Sequence, residues 1–284
     1  MRVPPTPTKQ RERPAGAPAE EPQENPPEAA PKAPPAPAAK QPPPLREVKT
    51  QTATTFEEKF VVIHGPNGVG KSTLASQWAG GEVFFFNCSG ELGEFEVYQQ
   101  AITDWTEFRS YAWALKENPS RFKAAAIDTG DMLGKYCSTK IRKDLGIVHE
   151  SDLDWGKGWG TLRDEFQTNL AKLIWIPNVG TVVVIHSDEK EVKTRSATWN
   201  KWEFRGFKAI RETLMDMSDI VLFVDFADDD DSEKRVIKTK PSRYHDAKER
   251  GLHPRLPAEI EWPLGEDGFA LLKAAWEAGG QEKK

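Results

Sequence analysis

The chain has 284 residues, 38% of them hydrophobic and 29% charged, with a formal net charge of −5. That is enough for one large domain or two small ones, and it excludes a uniformly basic nucleic-acid coat. Two cysteines, Cys88 and Cys137, exclude a disulfide framework and show no zinc-site spacing; no apolar run reaches the roughly 18–20 residues of a membrane span. The N-terminus lacks the apolar core of a signal peptide, so a cytoplasmic protein with no membrane partner is expected.

Residues 1–45 hold about 15 of the 22 prolines and almost no large apolar side chains. Such a segment buries too little surface to offset its ordering entropy, which predicts a disordered tail. One domain is expected from 46 to 278, with a frayed end at 279–284. Phe60-Val61-Val62-Ile63 reads as a buried strand. It leads into Gly65-Pro66-Asn67-Gly68-Val69-Gly70-Lys71-Ser72, a match to G-x-x-x-x-G-K-[ST], and then into a helix from Ser72 to Ala79 ended by Gly80-Gly81. Strand, glycine loop and helix in that order make a phosphate-binding loop. The glycines let consecutive N–H groups point inward, and the helix start adds its positive dipole end. Residues Gly65 through Thr73 are therefore the nucleotide-binding candidates, with Lys71 reaching the β- and γ-phosphates and Ser72 a ligand of Mg²⁺. ATP and Mg²⁺ are the expected cofactors.

Val83-Phe84-Phe85-Phe86 is a second strand, and Thr106 to Glu117 a helix stopped by Asn118-Pro119. Phe122 to Thr129 is a third strand. Its Asp128 fits the Walker B aspartate that holds magnesium, or alternatively a helix cap, since a helical pattern starts at Asp131. Residues 146–160 read as a loop in which Trp155, Lys157 and Trp159 alternate with glycines, and Leu162 to Trp175 as an amphipathic helix. Thr181 to Ser187 is an apolar strand with His186 and Ser187 at its C-terminal end, where open α/β sheets bind ligands. His186 is placed either to sense the γ-phosphate or simply to bond backbone.

Residues 188–211 carry seven basic side chains against four acidic ones, with aromatics interleaved. Lys193, Arg195, Trp199, Lys201, Trp202 and Arg205 are single-strand DNA candidates, because charge tracks phosphates and rings stack bases; a solvated hairpin is the plainer alternative. Asp219 to Phe226 is a further strand, Asp228–Asp231 an acidic turn, and Lys234 to Lys240 a returning strand. Three prolines then mark irregular structure, and Phe269 to Trp276 a last short helix. The element order predicts an α/β fold: a mostly parallel central sheet with helices on both faces and a late antiparallel hairpin.

With these motifs in place, residues 58–262 resemble the RecA-type ATPases, and more closely the phage-encoded Sak-type single-strand annealing ATPases. The resemblance is carried by the P-loop, Ile127-Asp128-Thr129, Gly156-Lys157-Gly158-Trp159-Gly160, Val192-Lys193-Thr194-Arg195 and Lys238-Thr239-Lys240-Pro241-Ser242. It implies a RecA-like P-loop core acting on single-stranded DNA in phage recombination, annealing or replication, in the host cytoplasm. The stretches 146–160 and 188–207 would line the DNA channel. The resemblance further implies a homo-oligomer, ring or filament, in which Lys238 and Lys240 reach a neighbour's ATP. A single-strand binding protein or a replication helicase would be a further partner. In one respect the chain departs from the family. Where the family has Asp-x-Glu-Gly, with Glu as the base for water, this chain has Asn87-Cys88-Ser89-Gly90. Glu91 or Glu94 would have to replace it, so ATP binding is better founded than efficient hydrolysis. A nucleotide-gated helicase loader and a small-molecule P-loop kinase are the alternative readings.

Overall fold

Short runs of β-branched and aromatic residues, each ended by a glycine or polar break, form the strands of one sheet. The computed structural model describes residues 55–227, 234–251 and 254–281. The expectations for 1–45, the acidic turn at Asp228–Asp231 and residues 282–284 lie outside the described residues. The chain divides into two units, Met1–Gln51 and Thr52–Lys284, and all that follows concerns the second.

In chain order the elements are β1 (Phe60–Gly65), α1 (Lys71–Ser76), β2 (Val83–Asn87), β3 (Tyr98–Ala101), α2 (Trp105–Glu117), β4 (Ala124–Asp128), α3 (Gly130–Leu145) and α4 (Lys157–Ile174). Then come β5 (Gly180–Lys193), β6 (Thr198–Phe204), α5 (Lys208–Met217), β7 (Ile220–Phe226), β8 (Lys234–Lys238), β9 (Lys248–Glu249), β10 (Glu259–Pro263) and α6 (Gly268–Gln281). The sheet order is β10-β8-β7-β1-β5-β4-β2-β3, with β6 paired to β5 and β9 to β7. From β7 through β3 every neighbour is parallel; β8, β9 and β10 are antiparallel. The P-loop strand β1 and the Asp128 strand β4 are separated by β5 alone. This is the expected α/β fold, a mostly parallel central sheet with late antiparallel strands.

Alternate residues of the central strands serve opposite faces. Val62, Phe86, Ile127, Val183 and Ile185 pack with side chains of α2, α3, α4 and α5. Val61, Ile63, Phe85, Val182 and Val184 pack with α1, α6, Trp78 and Trp262. With both faces covered, the strands are apolar throughout rather than alternating. Trp78 is fully buried, its ring 5.3 Å from Phe56 and 4.9 Å from Phe269; truncating such a side chain costs about 3–5 kcal/mol.

Several boundaries differ from the sequence-based expectation. The P-loop helix is only six residues long, because Ala79 and Gly80 adopt left-handed dihedrals that end it. The helix α4 begins at Lys157, so Gly156-Lys157-Gly158-Trp159-Gly160 forms its first turn rather than a loop. The strand expected to stop at Ser187 runs on to Lys193 and returns as β6, making residues 187–204 a β-hairpin. Two edge strands were missed: β3, whose Tyr98-Gln99-Gln100-Ala101 carries no apolar pattern, and β10, flanked by prolines. In β10 the alternation of Ile260 and Trp262 with exposed glutamates is a period-two signal that could have found it. The last helix does not fray at Gly279 but continues to Gln281, with Gly279 lying against the Arg255 backbone.

Gly65, the last residue of β1, has φ +150°, and a Cβ there would meet the Val224 carbonyl oxygen of β7 at 2.0 Å. Neither backbone can yield without breaking the sheet. Gly65→Ala is therefore expected to destabilise the domain by more than about 2 kcal/mol, measured by urea unfolding.

Candidate functional site

The C-terminal ends of β1 and β4 flank the middle of β5. Gly65 pairs with His186, and Asp128 with Val184. The residues just beyond these ends therefore meet in one place, a cavity of about 500 Å³ lined by Asn67, Gly68, Gly70, Lys71, Ser72, Thr73, Glu91, Phe95, Asp128, Thr129, Val184, His186 and Arg205. Of the expected P-loop contacts, Gly65 and Pro66 present their carbonyls to the Lys71 ammonium, at 3.1 and 2.7 Å. Val69 turns into the core instead, fully buried. Gly70 has φ +94° and approaches the Arg235 guanidinium so closely that a Cβ would overlap it. Arg235 in turn stacks on Trp262 at 4.0 Å, so β8 and β10 back the loop from behind.

Ser72 Oγ donates to Asp128 Oδ2 at 2.6 Å. Two hard oxygen donors thus face the cavity side by side, joining α1 to β4. Among the described residues no cluster of three His, Cys, Asp or Glu suits a metal ion. A hydroxyl and one carboxylate do suit Mg²⁺, which keeps several waters and takes its remaining ligands from substrate phosphates. Burial pushes the Asp128 carboxyl above its ordinary range, opposed by the Ser72 hydrogen bond. Burial also pushes the Lys71 ammonium down to about 8, opposed by Asp128. Each charge is thus stranded without a full partner, and an anion together with a divalent cation would relieve both.

The Asp128 carbonyl accepts the N–H groups of Cys88 at 2.6 Å and Ser89 at 3.1 Å. This turns the end of β2 away from the cavity. Ser89 accepts the Glu91 N–H and does not line the cavity. Glu91 opens a short turn after Gly90, which has φ +79°, and does line it. Of the two replacement candidates, Glu91 is in the cavity and Glu94 is not.

His186 lines the cavity and pairs through Nδ1 with Asp131 Oδ1 at 3.1 Å. Asp131 is held below the usual carboxylate range by His186, against the effect of its own burial. Arg205, expected among the DNA contacts, is instead on the wall of this cavity. Its backbone N–H donates to the His186 carbonyl at 2.8 Å, and its guanidinium is held by Asp188 at 2.8–2.9 Å. Phe95, which sequence reasoning passed over, lies on the same wall.

The other DNA candidates divide into two groups. Trp155 is 98% exposed, and Lys157, Lys193 and Arg195 are exposed. Trp159, Trp199 and Trp202 are half-buried in intrachain packing. Trp159 lies 5.5 Å from Phe207, Trp199 Nε1 donates to the Arg243 carbonyl at 2.7 Å, and Trp202 packs on Phe223. Lys201 pairs with Asp246 at 2.7 Å. Trp199, Lys201 and Trp202 hold the hairpin to its neighbours, a role that the basic-aromatic pattern does not distinguish from base stacking. Lys238 and Lys240 lie outside the cavity lining and pair with Asp225 at 3.6 Å and Glu249 at 3.0 Å.

A family model described as an AAA domain matches residues 57–251. No curated protein matches the chain. Among solved structures it is similar to that of the RadB recombinase, at 15% identity over 74% of this chain and 89% of that one, with a TM-score of 0.44. It is also similar to a KaiC-like protein from the hyperthermophilic archaeon Pyrococcus horikoshii OT3, at 14% identity over 74% of this chain and 88% of that one, with a TM-score of 0.42.

Directly before the loop, His64 is completely buried. Its Nε2 donates to the Asp246 carbonyl at 2.7 Å, because a carbonyl can only accept; Nδ1 must then accept from Ser187 Oγ at 2.8 Å. The ring is satisfied while neutral, and burial pushes its pKa down to about 3. Above the unfolded value near 6.5, neither state binds a proton here. Below it, the unfolded chain takes one up and the folded chain does not, so stability falls with pH by up to about 1.4 kcal/mol per unit until about 3. The unfolding free energies of wild type and His64→Gln are expected to converge between pH 6.5 and 4; a constant gap would mean that the folded ring is already charged.

Proposed function

The chain belongs to the AAA-domain family, and from that we propose that it is an ATP- and Mg²⁺-binding protein that acts on single-stranded DNA as a homo-oligomer. The observation that carries the nucleotide half is the convergence of Lys71, Ser72, Glu91, Asp128 and His186 on one cavity at the strand ends. In this reading the P-loop N–H groups and Lys71 bind the phosphates, and Ser72 and Asp128 hold the metal, which supplies charge neutralisation on the terminal phosphate. Glu91 orients water and accepts its proton, and Asp131 fixes the His186 ring against the cavity. Because Asp128 and Lys71 are each disfavoured as isolated charges, the site favours binding over idle ionisation.

The DNA half rests on the two exposed basic stretches. Trp155 precedes α4 and Lys157 opens it, and Lys193 and Arg195 stand at the tip of the β5–β6 hairpin. The packing of Trp159 on Phe207 supports placing both on one side of the domain. Recombination or annealing of phage DNA is the setting this reading favours, in the cytoplasm of the host, with a single-strand binding protein or replication helicase as further partner. Lys238 and Lys240 would serve a neighbouring subunit of the ring or filament on release from Asp225 and Glu249.

Labelled single-stranded DNA is expected to bind more tightly with ATP than without, and the affinity to fall at least about tenfold between about 50 and 200 mM salt. The double change Lys193→Glu and Arg195→Glu should lower DNA affinity at least about tenfold and leave nucleotide binding intact; an unchanged DNA affinity rules out the hairpin tip. In steady-state assays Glu91→Gln should reduce ATP hydrolysis about a hundredfold or more with little change in ATP affinity. Hydrolysis at the wild-type rate would remove Glu91 from the mechanism.

A further inference from the structure

We infer that Arg205 is a phosphate-sensing cation supplied by the same subunit, contacting the terminal phosphate of a bound nucleoside triphosphate. The inference rests on the nucleotide reading above and assigns to one residue the distinction between triphosphate and diphosphate.

Arg205 comes from sequence far from the loop but is delivered to it by β5. Its N–H bonds the His186 carbonyl, and His186 is the register partner of Gly65. The guanidinium therefore stands at the end of β5, between the P-loop strand and the Asp128 strand. In a P-loop site the Lys and the metal ligands take up the β- and γ-phosphates. The gap between β1 and β4 is consequently the γ-phosphate side, and Thr73, further into α1, lies on the other. Lys71 and Arg205 are the two cations on the cavity wall. Lys71 opens α1 and is bound by the loop carbonyls, whereas Arg205 reaches the same cavity from the end of the β5–β6 hairpin.

The anchoring of Arg205 suits this role. Asp188 takes two of its nitrogens, Nε at 2.9 Å and Nη2 at 2.8 Å, and among the described residues no hydrogen bond or ion pair uses Nη1. The side chain keeps 37% of its surface open. Asp188 thus fixes the plane of the fork while leaving donors facing the cavity, and a planar fork suits a phosphate better than a point charge does. The burial of Lys71 and Asp128 beside it lowers the local dielectric and strengthens any charge-assisted bond. Asp188 opens the hairpin whose tip carries Lys193 and Arg195, so a phosphate bound by Arg205 would bear on the hairpin base directly.

The test is titration of wild type, Arg205→Gln and Arg205→Lys with fluorescent ADP and a fluorescent non-hydrolysable ATP analogue, in Mg²⁺. The expected result is a loss of about tenfold or more for the triphosphate in Arg205→Gln, less than about twofold for ADP, and an intermediate loss in Arg205→Lys. Equal losses for both nucleotides, or none, in Arg205→Lys overturn the inference, and that variant decides the matter if Arg205→Gln fails to fold. If wild type binds neither nucleotide and Lys71→Ala changes nothing, the nucleotide reading itself fails. If wild type binds both and Lys71→Ala abolishes both, that reading stands whatever Arg205 does.

Discussion

The hydrogen bond from Ser72 to Asp128 joins the first turn of α1 to the end of β4, across the intervening β5. It can form only because β1 and β4 lie parallel to the first half of β5, in a register that ends both beside Val184–His186. A slip of one residue would turn every core side chain of a strand to the other face, so the buried faces of the sheet hold that register. Ala124, Ala125 and Ala126 keep β4 slim between its covering layers. From this alignment follow the burial of Lys71 and Asp128 and their opposite pKa shifts.

The strand β5 has two lives. Its first half is buried in the parallel sheet, and its second half leaves the sheet to pair with β6. The change falls at His186 and Ser187. His186 faces the cavity, Ser187 bonds the buried His64 beneath the P-loop, and Arg205 returns to the same point. Asp246 receives both the His64 ring and Lys201 of β6. The loop, the cavity wall and the hairpin are thus tied by short polar contacts in a dry environment, where each contact is costly to leave unmade. The hairpin tip lies beyond these ties, with Arg195 exposed and Lys193 paired to Glu191 at 2.8 Å on an open surface.

Much of the site was legible in the residues. The P-loop reads from eight letters because each has a local reason: glycines for backbone curvature, lysine for charge, serine for a hydroxyl at the helix start. Asp128 reads from its place at the end of an apolar strand. The hairpin aromatics were ambiguous, because Trp199 and Trp202 beside lysines look the same whether they await a base or cover Phe223 and the 242–245 turn. The edge strand β3 was invisible, since Gln99 and Gln100 are recruited by pairing with β2 rather than by an apolar face.

The sequence by itself determined the P-loop, Asp128 at the end of its strand and the α/β class, since these depend on local conformation and on apolar periodicity within single elements. The tertiary structure decided which acid faces the cavity and which cation joins it. Glu91 rather than Glu94 lines the wall because the Asp128 carbonyl captures the amides of Cys88 and Ser89 and turns the chain there. Arg205 belongs to the cavity and not to the hairpin face because a strand that runs out of the sheet must also return to it. Such placements arise from contacts between residues far apart in the chain, which no local pattern encodes.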